Sequence, residues 1–479
     1  MERTSIIVAL GFVMVLAGSA RARAGDPKQD AIARAKELQP ELVALHKKIW
    51  EFAEVGLEEK RSSQALQDFL RAQGFDVKAN VGGMPTAFVA SWGSGEPVIG
   101  ILAEFDALPG LSQQAVPERK PREGASAGHA CGHSLFGAAS SGAAAAAKSV
   151  LEKLRLPGTI RLYGTPAEET GIGKQYMLLA GAFDDADVVL SWHVRDETFA
   201  DYAYTKAVIS AKFRFHGLAA HASREPEAGR SALDAVELMN VGANYLREHV
   251  KDDTRLHYVI TNGGGQPNVV PPETEVWYYV RANRHEYAER VFERLRKIAE
   301  GAALMTETTF DLRVDSDAHE VLPNRALALL LDRNLRVVGP SKFTDEEKAF
   351  ARRVQEPLEK KPAAPLSEAI EAVSAEPFQI TSSTDIGDVS WRVPVGSISV
   401  TATALGTPAH SWQWVACTGT TIGDKGLAVA AQTLAASAVE LATDPAQVAA
   451  AWADFHAVRD PLEFKSYVPP DQKAPSSIR

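Results

Sequence analysis

Short apolar runs alternate along the chain with longer segments of high helix propensity. The clearest runs are rich in β-branched residues and cover residues 97–103, 159–163, 188–192 and 395–405. Apolar runs of this length that end in polar clusters are typical of buried strands, and their alternation with helices is the pattern of an α/β sheet. We therefore expect a large α/β domain.

The middle of the chain has a different rhythm. Ile209, Ala211 and Phe213 alternate with polar residues, which predicts a half-buried strand. A helix should follow, because Ser231 can cap it and apolar residues recur at three- or four-residue spacing from Leu233. The remaining elements are predicted as two strands, a helix and a strand over residues 254–261, 274–281, 285–305 and 309–314. The order βαββαβ predicts a small ferredoxin-like domain inserted into the larger one.

These elements divide the chain into consecutive segments. We predict a leader over residues 1–24, a main domain in two parts over 25–206 and 317–460, an inserted domain over 207–316 and a C-terminal tail over 461–479. The tail is rich in proline, so we expect it to wrap the surface without regular structure.

The first residues have the pattern of a secretory signal peptide. Arg3 precedes an apolar run over residues 6–17, and Ala22, Arg23 and Ala24 offer a small-residue cleavage site. The run is too short to span a bilayer comfortably. We therefore expect a periplasmic or secreted protein that has no membrane segment after cleavage, with an uncleaved membrane anchor as the alternative.

Composition limits the classes of partner. Of the 479 residues, 45% are hydrophobic and 23% are charged, so the chain can bury one substantial core and a second. Removal of residues 1–24 takes away three arginines and one glutamate, and the formal net charge moves from -10 to -12. Such an acidic protein is a poor binder of nucleic acid. Cys131 and Cys417 are too few for a disulfide framework, although a single bridge between them stays open.

Polar side chains follow the predicted strands at the point where each strand ends. In chain order these residues are Glu104, Asp106, Glu168, Glu169, His193 and His410. In α/β sheets the chemistry gathers at the carboxyl ends of the strands. This coincidence predicts a functional site at that edge of the sheet.

Cys131 and His133 stand just ahead of an alanine-rich segment, residues 135–154, with high helix propensity. A helix N-terminus favours a thiolate, which can bind a metal or attack a carbonyl. On its own this pair is better explained as a buried, inert cysteine beside a hydrogen-bonded histidine. Together with the strand ends, however, it offers one thiolate, three imidazoles and a carboxylate, which suit two cations that share a ligand.

Two adjacent carboxylates and three residues of the inserted domain are further candidates for catalytic or binding residues. Glu168 and Glu169 can point in different directions, so one can bind a cation while the other acts as a general base. A solvated acidic pair is the common alternative. His221 and Asn268 can donate hydrogen bonds to an oxyanion, and Arg281 can pair with a substrate carboxylate. Loop capping, turn chemistry and a surface arginine are the alternatives for these three.

Taken together, these segments resemble one known family of metallopeptidases, which includes carboxypeptidase G, aminoacylases and the plant hydrolases of auxin conjugates. The resemblance runs from about residue 32 to about residue 435. It is carried by residues 103–113, 131–133, 168–169, 192–193, 219–222, 229–236, 267–270 and 383–391. Ordered agreement across most of the chain is far more specific than any single motif.

The resemblance implies a mixed-sheet dinuclear metallopeptidase domain with an inserted ferredoxin-like domain that serves as a lid or for dimerisation. It implies two divalent cations per subunit, zinc or manganese, bridged by Cys131. One ion would also be bound by His133 and His193, and the other by Glu169 and His410.

The resemblance also implies roles for the remaining residues. Glu168 would be the general base, which takes a proton from the attacking water and returns it to the departing amine. His221 and Asn268 would stabilise the oxyanion, and in this family such a histidine usually reaches across a dimer interface. Arg281 would hold the substrate carboxylate.

The chain departs from the wider family at two positions. Glu104 stands where many members have a histidine, as is typical of the cysteine-bearing branch, so Asp106 is at most a residue that contacts a metal ligand. Ser134 stands where many members have aspartate, so the hydrogen bonds around the ligands differ.

We therefore expect hydrolysis of the amide bond of N-acyl amino acids with an aromatic or bulky acyl part, by a homodimer or by a heteromer with a related subunit. A dipeptidase or carboxypeptidase of the same family is one alternative, and a non-catalytic subunit of a heteromer is another. A third is a cysteine hydrolase that uses Cys131 with His133. Against it, a nucleophile and its base usually converge from separate segments, and no orienting acid is apparent in the sequence.

Overall fold

The computed structural model describes residues 26–460 and 462–477, so the predicted leader lies outside the described residues. The strands are β1 (Asp76–Ala79), β2 (Phe88–Ser94), β3 (Val98–Ala103), β4 (Leu108–Pro109), β5 (Ala127–Gly128), β6 (Gly158–Gly164), β7 (Val188–Arg195), β8 (Phe199–Ala200), β9 (Ala203–Tyr204), β10 (Ala207–His216), β11 (Arg255–Asn262), β12 (Glu273–Ala282), β13 (Thr309–Ala318), β14 (Phe378–Gln379) and β15 (Val395–Thr401). The helices are α1 (Pro27–Phe52), α2 (Lys60–Ala72), α3 (His133–Leu154), α4 (Gly173–Leu179), α5 (Ala232–Leu246), α6 (His285–Thr306), α7 (Arg325–Val338), α8 (Asp345–Val354), α9 (Ile386–Ser390), α10 (Trp412–Thr418), α11 (Thr421–Thr443) and α12 (Pro445–Arg459).

The main domain is built on a seven-stranded sheet with the order β1-β2-β6-β3-β7-β15-β8. The four central strands, β6, β3, β7 and β15, run parallel, whereas the strands at the margins pair antiparallel. The central strands are almost entirely buried, which is why their sequences read as continuous apolar runs. The α/β domain on a mixed sheet is confirmed.

Two predicted strand ends differ from the structure. β7 continues two residues beyond His193, because β15 pairs with it as far as Thr401. The apolar run 395–405 leaves the sheet at that same residue, where helix α11 comes very close to the strand. A Cβ placed on Gly426 of α11 would lie 2.7 Å from Ala402 Cβ and 2.9 Å from the Thr401 carbonyl oxygen.

Helices α1, α3 and α11 pack against one another and cover the main sheet. Within the described residues, α11 alone is long and apolar enough to cross a membrane, with a mean hydropathy of 1.3 over its most apolar window. In this protein 78% of that window is buried. Packing in the core therefore accounts for the apolar composition of α11.

Strands β10 to β13 form the sheet of the inserted domain. Its antiparallel order, β11-β12-β10-β13, is the ferredoxin-like arrangement in which the first and third strands are central. Helices α5 and α6 pack on the sheet, where the rings of Phe213, Tyr278 and Phe292 are in contact. The predicted order βαββαβ is confirmed.

The C-terminal tail crosses from one domain to the other without helix or strand. Gln472 Nε2 donates hydrogen bonds to Tyr176 Oη at 2.7 Å and to the Val314 carbonyl at 2.8 Å. Val468 of the tail is 2% exposed. The tail therefore connects the last strand of the inserted domain to α4 of the main domain.

We predict that Gly426→Ala destabilises the protein, although alanine favours helices. The added methyl group meets the end of β15, and overpacking of this kind costs about 1–3 kcal/mol. Gly301→Ala in α6 is the matched control, because nothing lies within 4 Å of its Cβ position. There the free energy of unfolding should rise by up to about 1 kcal/mol. Urea unfolding measures both variants, and equal changes would contradict the prediction.

Candidate metal centre

The predicted site residues of the main domain converge at the carboxyl ends of the central parallel strands. The structure places Asp106 after β3, Glu168 and Glu169 after β6, His193 near the end of β7, His410 after β15, and Cys131 and His133 at the start of α3. This edge is where an open parallel sheet offers a crevice to ligands.

Two groups of potential metal ligands share the Cys131 thiol. The first group contains Cys131, His133 and His193, and the second contains Cys131, Glu169 and His410. Within each group the candidate ligand atoms lie within 4.8 Å of one another. Cys131 Sγ is 3.4 Å from His193 Nε2, and His410 Nε2 is 3.4 Å from Glu169 Oε2. This is the grouping that the family resemblance implies for two cations with a bridging thiolate.

A glycine between Cys131 and His133 lets both side chains face the same space. Gly132 has a φ of 84°, in the left-handed region, and is the N-cap of α3. A Cβ at this position would lie 2.5 Å from Val194 Cγ2. The start of α3 therefore touches β7 directly. The helix begins at His133, two residues earlier than the sequence predicts.

His193 is oriented by its own strand. Its Nδ1–H donates a hydrogen bond to the Val194 carbonyl at 2.7 Å, which leaves the Nε2 lone pair facing Cys131. Burial and the nearby Arg195 hold the pKa of His193 well below its usual value. The imidazole is therefore neutral, which is the form that binds a metal.

Asp106 contacts both ligand groups. Its Oδ1 accepts a hydrogen bond from His133 Nδ1 at 2.8 Å, and its Oδ2 accepts one from the backbone N–H of Glu169 at 3.0 Å. Burial opposes the charge of Asp106, but His133 and the Glu169 N–H keep the pKa below its usual value. Asp106 thus fixes the direction of one imidazole and the backbone of one carboxylate.

His410 belongs to a loop held close to Cys131. Its backbone N–H donates to the Ala130 carbonyl at 3.2 Å, and its φ of 55° is unusual for a residue with a Cβ. The side chain is 51% exposed, which makes it the most accessible of the predicted ligands.

Glu168 follows a turn whose backbone is fixed by a hydrogen bond to a buried side chain. Ala167 has a φ of 53°, and its N–H donates to Glu59 Oε1 at 2.8 Å. Glu59 is fully buried, and a Cβ on Gly56 would lie only 3.0 Å from Ala167. These contacts direct Glu168 toward the ligand groups, where its Oε2 is 3.8 Å from His133 Nε2.

The donor set fits divalent cations. Burial and the charge of Glu169 raise the pKa of Cys131 to about 12, which opposes the effect of the helix N-terminus on the thiolate. Burial likewise raises the pKa of Glu169. His133 Nε2 and Glu169 Oε1 are buried and have no hydrogen-bond partner among the described residues. A bound cation uses such lone pairs and favours the deprotonated forms.

The sequence analysis missed a buried ion cluster next to these ligands. Lys174 is fully buried, and its Nζ donates to Glu104 Oε1 at 2.7 Å and to Asp385 Oδ1 at 2.5 Å. Burial opposes the charge of Lys174, but the two carboxylates raise its pKa above the usual value. Glu104 Oε2 lies 3.2 Å from His133 Nε2, so the cluster reaches a predicted ligand. Glu104 was visible as a strand-end carboxylate, whereas no pattern marks Lys174.

A cavity of about 390 Å³ opens beside both ligand groups. Its lining includes Cys131, Glu168, Glu169, His193, His410 and, from β12, Arg281. Arg281 Nη1 donates to Ser383 Oγ at 3.4 Å, and its Nε is buried without a partner in the part of the chain that the structure describes. Burial lowers the pKa of Arg281, but the guanidinium stays charged. An unpaired cation in a cavity wall favours an anionic group in the cavity.

Within one chain the structure does not bring His221 and Asn268 to this cavity. Both lie on exposed loops of the inserted domain, and neither lines the cavity. His221 forms an isolated bridge with Val269, and the Ala222 N–H donates to the Asn268 carbonyl at 2.9 Å. The two residues are therefore neighbours of each other, and their role at the reaction centre stays a prediction.

The fold is that of a metallopeptidase with an inserted dimerisation domain, and two comparisons agree. Residues 204–306 match the family model described as a peptidase dimerisation domain. A dinuclear metal binding peptidase of the M20 family from Bacillus subtilis shares the fold with a TM-score of 0.55, at 19% sequence identity and over 85% of this chain and 99% of that chain.

Sequence identity to a named hydrolase subunit shows the family of this chain. The chain is 41% identical to one of the subunits of p-aminobenzoyl-glutamate hydrolase from Escherichia coli, over 88% of this chain and 93% of that protein. An aminobenzoyl-glutamate utilization protein from Klebsiella pneumoniae shares the fold with a TM-score of 0.58, at 20% identity and over 85% of this chain and 97% of that one. The chain belongs to the M20 peptidase family and is a metal-dependent amidohydrolase. The resemblance noted in the sequence is confirmed.

We predict that Lys174→Met strongly destabilises the metal-free protein. The change leaves Glu104 and Asp385 buried without their cation, and breaking such a cluster costs about 3–5 kcal/mol. Lys153→Met is the matched control, since Lys153 pairs with Asp30 at the surface and is 67% exposed. The control should change stability by less than about 1 kcal/mol. Urea unfolding with a chelator present measures both, and similar midpoints would argue against a structural role for Lys174.

Proposed function

We propose that this protein hydrolyses the amide bond of N-acyl amino acids whose acyl part is aromatic or bulky, in the manner of p-aminobenzoyl-glutamate. The observation that carries the proposal is the position of Glu168 beside two ligand groups that share Cys131, in a cavity that Arg281 also lines. The name of the Escherichia coli relative supports this class of substrate.

Two divalent cations, zinc or manganese, complete the proposed site. Cys131 would contact both, His133 and His193 would bind the first, and Glu169 and His410 the second. When bound, the cations supply Lewis-acid activation of water and of the amide carbonyl. A thiolate ligand favours zinc, whereas the carboxylate also admits manganese.

Glu168 carries the proton transfer in this proposal. Its side chain is 10% exposed, so it faces the ligand groups and is still reached from the cavity. It accepts a proton from the attacking water and delivers it to the amine nitrogen as the carbon–nitrogen bond breaks. The products are a carboxylic acid and a free amino acid. Arg281 pairs with the carboxylate of the amino acid and so aligns the amide.

A cysteine hydrolase is the second candidate, and one observation favours it. Asp106 orients His133 through the hydrogen bond at Nδ1, so the orienting acid that the sequence did not reveal is present. Against it, Cys131 is shared by both ligand groups, and burial raises its pKa to about 12. A thiol of this kind is a poor nucleophile unless a cation deprotonates it, in which case it is a ligand.

The proposal predicts that activity requires both the metal and Glu168. Chelation should abolish turnover of a panel of N-acyl amino acids and dipeptides, and reloading with zinc or manganese should restore it. Glu168→Gln should bind as much metal as the wild type but lose at least about 100-fold in kcat, because the acid/base group is missing. Metal content and kcat are measured on the same samples.

Glu169→Gln is the matched control for this experiment. As a predicted ligand, Glu169 should affect metal content, so its loss should lower both the bound metal and kcat. Full turnover of the metal-free protein would favour the cysteine hydrolase. Near wild-type kcat in Glu168→Gln would rule out its role as general base.

We further propose that two chains associate through the inserted domain. β11 lies at one edge of its sheet, with Val259 56% exposed, and α5, which packs on the same sheet, exposes Tyr245 to 71%. A long, apolar sheet edge normally has to be covered, and a second copy covers it by pairing edge to edge. The match of residues 204–306 to a peptidase dimerisation domain supports association through this domain. The Escherichia coli relative is named as one subunit of its hydrolase, which keeps a related chain as the alternative partner.

Association would allow His221 and Asn268 to serve the cavity of the partner chain. We predict that His221→Ala lowers kcat by about 100-fold or more, as expected for loss of an oxyanion donor. Activity should return when the His221→Ala and Glu168→Gln proteins are mixed and their subunits exchange. In each mixed dimer, the site of the His221→Ala chain has its own Glu168 and receives His221 from the other chain. At equal amounts about a quarter of wild-type activity should return. No recovery after verified subunit exchange would place His221 in its own chain's site or outside catalysis.

We also propose that the protein acts in the periplasm or outside the cell, on the basis of the signal peptide predicted over residues 1–24. The N-terminal sequence of the exported protein tests this, since processing should remove those residues.

A further inference from the structure

The floor of the cavity is formed by alternate residues of β15. Val395, Ser397 and Ser399 share one face of the strand, because side chains alternate along it, and all three line the cavity. Ser399 is paired in register with His193 of β7. The floor therefore extends from a predicted metal ligand toward the edge of the main sheet.

Asp201 closes this floor at the sheet edge. It follows β8, which pairs with β15 on the side away from β7, and its N–H donates to the Ser397 carbonyl at 2.9 Å. Ser399 Oγ donates to Asp201 Oδ1 at 3.0 Å. Two strand spacings, roughly 10 Å, separate Asp201 from His193. A carboxylate offers about four lone-pair sites, so Asp201 can still accept a hydrogen bond from a group in the cavity.

Part of the cavity lining beside this floor is apolar. It includes Leu322, Ile380 and Trp414, and such a lining suits a flat aromatic ring. Arg195 also lines the cavity and is the charged neighbour of Asp201. Because the charges of Arg195 and Asp201 offset each other, a cationic group of the substrate would gain little binding energy beside Asp201. A neutral N–H or O–H group, by contrast, can donate directly to the carboxylate.

The end of the cavity at Asp201 is distinct from the end at Arg281. Arg281 lies on β12 of the inserted domain and donates to Ser383 Oγ, whereas Asp201 is hydrogen-bonded to Ser397 and Ser399 of β15 in the main sheet. Once the carboxylate of the amino acid is paired with Arg281, the acyl part is the portion of the substrate that remains to cover the β15 floor.

We propose that Asp201, supported by Ser397 and Ser399, recognises a neutral amino or hydroxyl group at the far end of an aromatic acyl group. The inference rests on the proposed function and narrows its substrate class. Asp201 thereby determines which acyl groups are hydrolysed, whereas Arg281 selects the amino acid by its carboxylate.

Three matched substrates test this inference. They carry the amino acid that the metal-loaded enzyme accepts best and differ only in the acyl group, which is 4-aminobenzoyl, 4-methylbenzoyl or 4-(aminomethyl)benzoyl. The first offers a neutral donor, the second has no donor, and the third is cationic. The wild type should prefer the first in kcat/KM by about 10-fold or more, because only this acyl group donates a hydrogen bond to Asp201 without adding a charge.

Asp201→Asn should lower kcat/KM for the 4-aminobenzoyl substrate by about 10-fold and leave the 4-methylbenzoyl substrate within about 3-fold. Glu197→Gln is the matched control, since it neutralises an exposed carboxylate of the same segment that does not line the cavity. Glu197→Gln should leave kcat/KM for all three substrates unchanged. Calorimetry with free 4-aminobenzoate and 4-methylbenzoate should show the same preference in binding.

The outcomes separate this inference from the proposed function. If Asp201→Asn lowers kcat/KM equally for the 4-aminobenzoyl and 4-methylbenzoyl substrates, Asp201 is only structural. A change in amino acid preference instead of acyl preference would place the amine product at Asp201 and overturn the inference. If no N-acyl amino acid is hydrolysed, the proposed function fails. Calorimetry still decides the inference in that case, and equal affinity for the two free acids would overturn it.

Discussion

The centre of this protein depends on the burial of more acidic groups than nearby side chains can neutralise. Cys131, Glu169, Asp106 and Glu104 all approach His133 at the carboxyl edge of one sheet. Lys174 offsets part of this charge through its ion pair with Glu104, and burial raises the pKa of the Cys131 thiol. Electrostatics therefore links metal binding to the stability of the site, because cations supply the missing positive charge.

Close backbone contacts hold the ligands in this arrangement. Gly132 lets α3 start against Val194, so that ligands from a helix and from a strand face each other. Ala167 adopts a left-handed conformation in which its N–H donates to Glu59, and Gly56 leaves the room for its close approach. A small shift at either turn would move a ligand or Glu168 away from the others, which explains why these positions carry glycine, or alanine in an unusual conformation.

The two domains contribute different parts of the cavity. The main domain supplies all the predicted metal ligands and the β15 floor, while the inserted domain contributes Arg281 to the same cavity. His221 and Asn268 lie on the exposed loops of the inserted domain, beyond the cavity of their own chain. Both domains thus contribute to substrate binding. The main domain does so through strands of its sheet, and the inserted domain also has the exposed edge through which a second chain is proposed to associate.

Periodicity and strand ends are local properties, so the elements and the types of chemistry could be predicted from the sequence. It predicted the order βαββαβ, the central strands, and the thiol, imidazole and carboxylate groups that later converge. The other features arise from the folding of the whole chain. Folding buries Lys174 between Glu104 and Asp385, pairs Asp106 with His133, sets Asp201 beside Ser399, and raises the pKa of Cys131. These features depend on desolvation and on contacts between residues far apart in the chain, and neither leaves a pattern in a local stretch of sequence.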